Sequence, residues 1–357
     1  MATDTARDPN ERTNQPPSTT LAEPRAITPD SSEYEKDYNP EAESDMCSLS
    51  SSISLTSSVT DYPMENGRRY HRYHEGTYLY PNDEPELDRL DMQYELIRLI
   101  NGGRIFFAPL TKPERILDVG TGSGIWPIEM AEIFPDVEII GTDLSPVQPG
   151  QVPDNVQFYV DDASESDWLW PKNHFDYIRS SMMLGALDSY PSLISTAFGY
   201  IKPGGYLECH EWDISCHCDD DTLPAPRGDF KGSYAFQNWL QYCRLSTSRL
   251  ARPVFVAQQI SSWMRDAGYV DIQERVTKVP LNPWPKDPHL KRLGAWSERN
   301  WLDGIAAFSY APFGPRGLGW TQDEIEVFLV DVRKSIQDRK VHVYQNFHVV
   351  TGRKPLD

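Results

Sequence analysis

The chain is 357 residues long, 39% hydrophobic and acidic, with 53 Asp and Glu against 34 Lys and Arg and a net charge of −19. That length supports one large or two ordinary domains with a sizeable core, and the charge argues against gripping nucleic acid through its phosphates. No apolar run approaches the roughly 18 residues that would suggest a membrane span, and five cysteines fit reduced thiols of the cytosol or nucleus better than a disulfide framework.

The opening "MATDTARDPNERTNQ" lacks the apolar core of a signal peptide and carries too many acids for a transit peptide. Residues 1–60 are rich in Ser, Thr, Pro and acids without apolar periodicity, which predicts a disordered tail, open to phosphorylation or serving as a plain spacer. Residues 61–110 form an aromatic and helical segment in which Leu87, Leu90, Tyr94, Ile97 and Ile100 keep helical spacing and Gly102-Gly103 stops it. An α/β alternation fills the domain expected over 111–357. Strands are expected at Arg115–Val119, Val137–Asp143, Val156–Asp161, Phe175–Ser180 and Gly205–Trp212, with helices that include Trp126–Ile133 and Ser192–Ile201. This pattern predicts a parallel sheet covered on both faces. An insertion over 221–250 carries a helix at Tyr234–Ser248. Helices are predicted at Val254–Ala267, His289–Phe308 and Thr321–Gln337, and two late strands, "YVDIQERVTKVPL" and "VHVYQNFHVVTGRK", would complete seven, with an antiparallel direction open to one of them.

The chemistry is written between Ile116 and Asp143, "ILDVGTGSGIWPIEMAEIFPDVEIIGTD". No Gly-Lys-Ser/Thr ending marks a phosphate-cradling Walker loop, and the dinucleotide fingerprint fails at Ile125 and at Pro127. The spacing Asp118-x-Gly120-x-Gly122-x-Gly124 fits the loop of S-adenosylmethionine-dependent methyltransferases. There Gly120, Thr121, Gly122 and Gly124 let the backbone turn tightly and approach a ligand. Asp143, followed by Leu144, stands where a carboxylate accepts ribose hydroxyls. Asp161-Asp162-Ala163 closes the third strand where an acid meets an adenine amino group, Ser180 ends the fourth, and "IKPGGYLE" precedes the fifth. The reading is a class I, Rossmann-like methyltransferase, with a seven-stranded mostly parallel sheet flanked by helices, an N-terminal helical lid and a disordered tail. S-adenosylmethionine is its expected cofactor.

Beyond that loop the chain resembles the LaeA-like methyltransferases of filamentous fungi. The resemblance runs from Glu65 to Pro355 through "ENGRRYH", "YPNDEPELDRLD", "GTDLSPVQP", "DDAS", "PLNPWPKDPH" and "VHVYQNFHVVTGRKP". It implies a regulator of secondary metabolism found in the nucleus or shuttling through the cytoplasm. It also implies a protein partner such as a velvet-type regulator, or a histone as acceptor, while some relatives look like tailoring enzymes of small metabolites.

Methyl transfer from a sulfonium needs alignment and, for some acceptors, removal of a proton. His210 and Glu211, just after the fifth strand, are the candidate bases, with a structural hydrogen bond as the alternative for each. Tyr70, His71, Tyr78 and Tyr80 could form a lid over the cofactor, Tyr78 touching it. Arg89 could reach the methionine carboxylate or sit in a surface ion pair. Ser180-Ser181-Met182-Met183 stands where amino-methylating nucleic-acid enzymes keep Asn/Asp-Pro-Pro-Tyr, which argues against DNA as acceptor. "CHEWDISCHC" crowds Cys209, His210, Cys216, His217 and Cys218 together, but their spacing fits no standard metal site. No metal is expected. A third reading is a cofactor-loaded docking module without catalysis.

Overall fold

The computed structural model describes residues 26–30, 64–65, 67–71 and 79–357. The rest of the expected tail and Tyr78 lie outside the described residues. A two-residue hairpin, β1 (Met64–Glu65) and β2 (Arg68–Arg69), leads into α1 (Glu84–Ile100). Asp83 joins the two: it accepts from Arg68 Nε and Nη2 at 2.5 and 2.7 Å and caps α1 by accepting from Glu86 N, so it is both ion-pair partner and helix cap.

The main body alternates as the sequence predicts: β3 (Arg115–Val119), α2 (Ile125–Ile133), β4 (Glu138–Asp143), β5 (Val156–Val160), β6 (Phe175–Ser181), α3 (Tyr190–Tyr200) and β7 (Ile201–His217). Then come α4 (Ala235–Arg249), α5 (Ile260–Asp266), β8 (Val270–Pro280), α6 (Pro288–Gly304), α7 (Ala307–Phe313), α8 (Gln322–Ile336) and β9 (Tyr344–Arg353). The seven-stranded sheet has the order β5-β4-β3-β6-β7-β9-β8. β3 to β7 pair in parallel, and β9 runs antiparallel between β7 and β8.

Alternation along each strand sends side chains to opposite faces. Leu117, Ile140, Ile178, Leu207 and Val350 meet α3 and α5 on one face, and Ile116, Ile139 and Tyr177 meet Trp126 and Met130 of α2 and Tyr94 of α1 on the other. A third cluster gathers Trp239, Trp301, Phe313 and Leu329 from α4, α6, α7 and α8 against Trp212 and Phe347 of the sheet. No described helix is long and apolar enough to cross a membrane.

Three expectations need adjusting. The helix expected over His289–Phe308 breaks into α6 and α7. β7 is 17 residues long, so "IKPGGYLE" is part of the strand, with Gly204 taking up a positive φ of 84°. The expected tail is not featureless either. Ala26–Asp30 lies as a short strap on "NPWPKDPH": Pro29 bridges Pro285, Asp30 N donates to Trp284 O at 3.0 Å and Lys286 N to Thr28 O at 2.9 Å. Ile27 is buried with Trp284 and Tyr344, and Asp30 pairs with Lys291 of α6. Composition over 60 residues hides five residues that find an apolar slot.

Ile27→Ala should cost about 2 kcal/mol, the low end for a buried isoleucine, and lower the melting temperature by roughly 2–6 °C in scanning calorimetry. An unchanged midpoint would show that the strap adds no stability.

Candidate active site

The parallel strands β3 to β6 all end on one side of the sheet, where open α/β sheets bind ligands. Asp118 shapes this side without facing it. Fully buried, it accepts from Arg179 Nη1 of β6 at 2.7 Å and from Thr121 Oγ1 at 2.8 Å. Arg179 also lies over the Trp126 ring, 4.7 Å from its centroid, and Thr121 N donates to Thr142 O of β4 at 2.9 Å.

The loop that follows needs glycine for steric reasons. Gly120 has φ 70°, and a Cβ on it would lie 2.2 Å from Met183 Sδ; Gly124 has φ 83°, and its Cβ would lie 2.6 Å from the Phe158 ring. Gly122 N donates to Asp143 Oδ2 at 2.9 Å, and Ser145 N donates to Oδ1 at 3.0 Å. Burial raises the Asp143 carboxyl to about 6, against the pull of these N–H donors. Leu144, beside it, is half-buried.

Gln148 donates to Gly122 O at 2.7 Å and to Ser145 O at 3.1 Å. Asn82 Nδ2 donates to Ser145 Oγ at 3.1 Å, drawing the segment before α1 onto this loop. Asp161 N continues from Asp143 O at 3.0 Å. Asp161, Asp162 and Ala163 are half-buried, and Asp162 Oδ1 accepts from Ser164 N at 2.8 Å. Burial raises the Asp161 carboxyl.

These residues fit S-adenosylmethionine. Carboxylates end β4 and follow β5, where they can accept from ribose and adenine, and the N-terminus of α2 carries no side-chain cap, leaving its first N–H groups to a ligand. Ser180, by contrast, is fully buried, paired in the ladder with Val119 and Cys209.

Leu90, 3.5 Å from where a Cβ on Gly122 would lie, lines a cavity of about 110 Å³. Its walls come from Tyr80, from Glu86, Arg89, Leu90 and Gln93 of α1, from Met182 and Leu184 after β6, and from Trp212 and Ile214 of β7. Trp239 and Cys243 of α4, Asn300 and Trp301 of α6, and Phe308 of α7 complete it. The expected insertion thus supplies one wall. A wider cleft of about 550 Å³ runs along residues 103–110, Glu129 and Ile133, but no strand end or glycine-loop residue lines it.

Arg89 is neither a surface ion pair nor a free cation. It is 5% exposed; Nε and Nη2 bind Glu86, and Nη1 donates to Gln93 and Asn300, each at 2.9 Å. These contacts leave one of its five N–H groups for a ligand. Glu86, Gln93 and Asn300 escaped sequence reasoning. The signal available was the polar set 86, 89 and 93 at helical spacing, on the side that also carries Leu90 and Ile97.

His210 and Glu211 alternate to opposite faces of β7, and neither lines the cavity. His210 is 1% exposed, bonded through Nε2 to Glu208 at 2.7 Å and flanked by Phe107 and Phe347. Burial lowers its pKa. Glu208 in turn accepts from Phe107 N and Ala108 N, so this pair anchors the segment after α1. Glu211 accepts from Met183 N and Tyr190 Oη at 2.6 and 2.9 Å. Both side chains are thus hydrogen-bonded within the fold. Of the described residues expected in a lid, Tyr70 and His71 are buried outside the cavity wall and Tyr80 lines it. Among the described residues no three His, Cys, Asp or Glu side chains gather in a metal-binding group.

Residues 89–274 match the family described as a methyltransferase domain. The chain is 36% identical to the "Secondary metabolism regulator LAE1" of Cochliobolus heterostrophus, over 82% of this chain and 94% of that one. It is 37% identical to the "Methyltransferase pytC" of Aspergillus terreus, over 86% and 92%. It is 32% identical to the "Protein-methionine methyltransferase laeA" of Emericella nidulans, over 87% and 81%. Fold and glycine loop therefore define an S-adenosylmethionine-dependent methyltransferase. The chain belongs to the LaeA-like methyltransferases.

A carboxyl titrating near 6 is protonated below that pH and then accepts hydroxyl donors poorly. Calorimetry should show S-adenosylmethionine affinity rising with pH through about 6 and level above it, with Asp143→Asn weak and flat across the range. A flat wild-type profile would remove Asp143 from the ribose contact.

Proposed function

We propose that this methyltransferase acts on a protein side chain whose nucleophilic atom has no proton to lose, a methionine thioether being the natural match, and that it does so as a regulator of secondary metabolism. The observation that carries this reading is the cavity. At about 110 Å³ it falls well short of the roughly 300–1,000 Å³ typical of small-molecule sites and suits a single side chain.

No wall group is poised as a base. Glu86 is locked to Arg89 at 2.7 Å, and burial pushes the Tyr80 hydroxyl and the Cys243 thiol far above their usual ranges. S-adenosylmethionine, when bound, supplies a methyl group on a sulfonium, and transfer to a thioether moves the positive charge to the acceptor without releasing a proton. Trp212, Trp239 and Trp301 give the cavity aromatic walls, and an aromatic face can attract a cation. The relative named a protein-methionine methyltransferase supports the acceptor, and the relative named a secondary metabolism regulator supports the role. A basic partner, of the velvet-regulator or histone kind that the family resemblance implies, suits the net charge of −19. The place of action is the nucleus, with passage through the cytoplasm.

A second reading, a tailoring O- or N-methyltransferase of a small metabolite, draws support from the relative named Methyltransferase pytC. Incubation with methyl-labelled cofactor and a fungal lysate, split into protein and small-molecule fractions, separates the two. Label on methionine in protein by peptide mass spectrometry, absent with Gly122→Arg, is the expected result. Label in an extractable metabolite overturns the protein acceptor in favour of tailoring, and no label despite cofactor binding leaves a docking module.

A further inference from the structure

β6 and β7 stay in register as far as Ser181 and His210, and Met182 N makes the last rung, donating to His210 O at 2.9 Å. There the chain turns away. Met182 takes φ 59°, in the left-handed region that residues with a side chain seldom adopt. The next N–H, that of Met183, has left the ladder and would be a buried orphan without Glu211, whose Oε1 accepts it at 2.6 Å. The Tyr190 hydroxyl donates to the same oxygen at 2.9 Å.

The turn has two outcomes in the site. Met182 enters the cavity wall. Met183 places Sδ where a Cβ on Gly120 would be 2.2 Å away, backing the glycine loop from behind. One carboxyl thus fixes the relation between loop and cavity. We infer that Glu211 is a positioning residue, holding the β6 turn so that Met183 backs the cofactor loop and Met182 shapes the acceptor cavity, and that it works as a hydrogen-bond acceptor, not as a base. The inference rests on the cofactor assignment and extends it to a residue outside the cavity.

Burial favours a neutral acid at Glu211, while Arg179 and the hydrogen bonds from Met183 N and Tyr190 oppose it, and four charged or titratable groups face it. They are Arg179 from β6, Tyr190 from α3, Cys209 from its own strand and Tyr80 from the segment before α1. Burial pushes the tyrosines and the thiol well above their usual ranges, and it raises Glu211 to about 8. Glutamine offers the same carbonyl acceptor in the same shape.

The test compares S-adenosylmethionine affinity by calorimetry, alongside thermal melting, for wild type, Glu211→Gln, Glu211→Leu and Met183→Ala. Glu211→Leu strands the Met183 N–H and should weaken binding about tenfold or more, while Glu211→Gln should stay within about threefold of wild type. Met183→Ala should weaken binding with the carboxyl intact, and it carries the test if the leucine variant fails to fold. Glutamine as harmful as leucine overturns the inference, because charge would then be required. Wild-type affinity in both Glu211→Leu and Met183→Ala overturns it too, because turn and loop would then be uncoupled. A wild type that binds no S-adenosylmethionine instead refutes the cofactor assignment and takes this inference with it.

Discussion

The ion pair between Asp118 and Arg179 governs the working end of the sheet. It joins neighbouring strands where both are buried, and Asp118 also holds Thr121, the first turn of the glycine loop. A buried pair of this kind contributes little net stability compared with well-packed apolar residues, yet loss of one member strands the other at a cost of about 3–5 kcal/mol. What it supplies is placement. Arg179 has few other positions open to it, with Trp126 over its plane and Asp118 at its tip. The loop leaves β3 along one path, and that path brings Gly122 N to Asp143.

The small cavity, the acceptor site under the proposed function, follows different physics. Its walls come from helices distant in sequence, and a polar cluster, Glu86–Arg89–Gln93–Asn300, sits among aromatic side chains. Arg89 lies 4.9 Å from the Phe308 centroid. The cluster ties α1 to α6 and gives the apolar chamber one fixed edge, since partly satisfied polar groups in such surroundings would be costly. A cofactor side built from backbone turns and an acceptor side built from side chains from many elements can vary independently.

That contrast explains how much could be read from the sequence. The parallel strands are short and rich in apolar residues, the loop glycines Gly120, Gly122 and Gly124 stand at positive φ, and Asp143 follows at the end of β4, so the cofactor side was legible from local spacing. The bounds of α8 were close because Thr321 caps a periodic segment, whereas the helix expected over Val254–Ala267 is α-helical only from Ile260. The acceptor side was not legible, because the meeting of Trp239, Asn300 and Arg89 is a product of tertiary packing. His210 and Glu211 show the same limit. Their place after the fifth strand suggested chemistry, but only pairing partners reveal that one supports Phe107 and Ala108 through Glu208 and the other supports the turn at Met183. The strap at Ala26–Asp30 stayed hidden because five residues carry no period.

The position of β9 bears on how the molecule is born. It follows β8 in the chain, yet it lies between β7 and β8 and is bonded to both. On the ribosome, β3 to β7 can assemble as their residues emerge, since each pairs with strands already made. β8 cannot: its sheet partner is the ten residues Tyr344–Arg353, which are made only after α6, α7 and α8. Until then the flank of β7 is an open edge, the kind of surface that invites wrong pairings. A ribosome that stalls before residue 344 therefore releases a product with a formed cofactor side and an unfinished sheet, a natural client for chaperones.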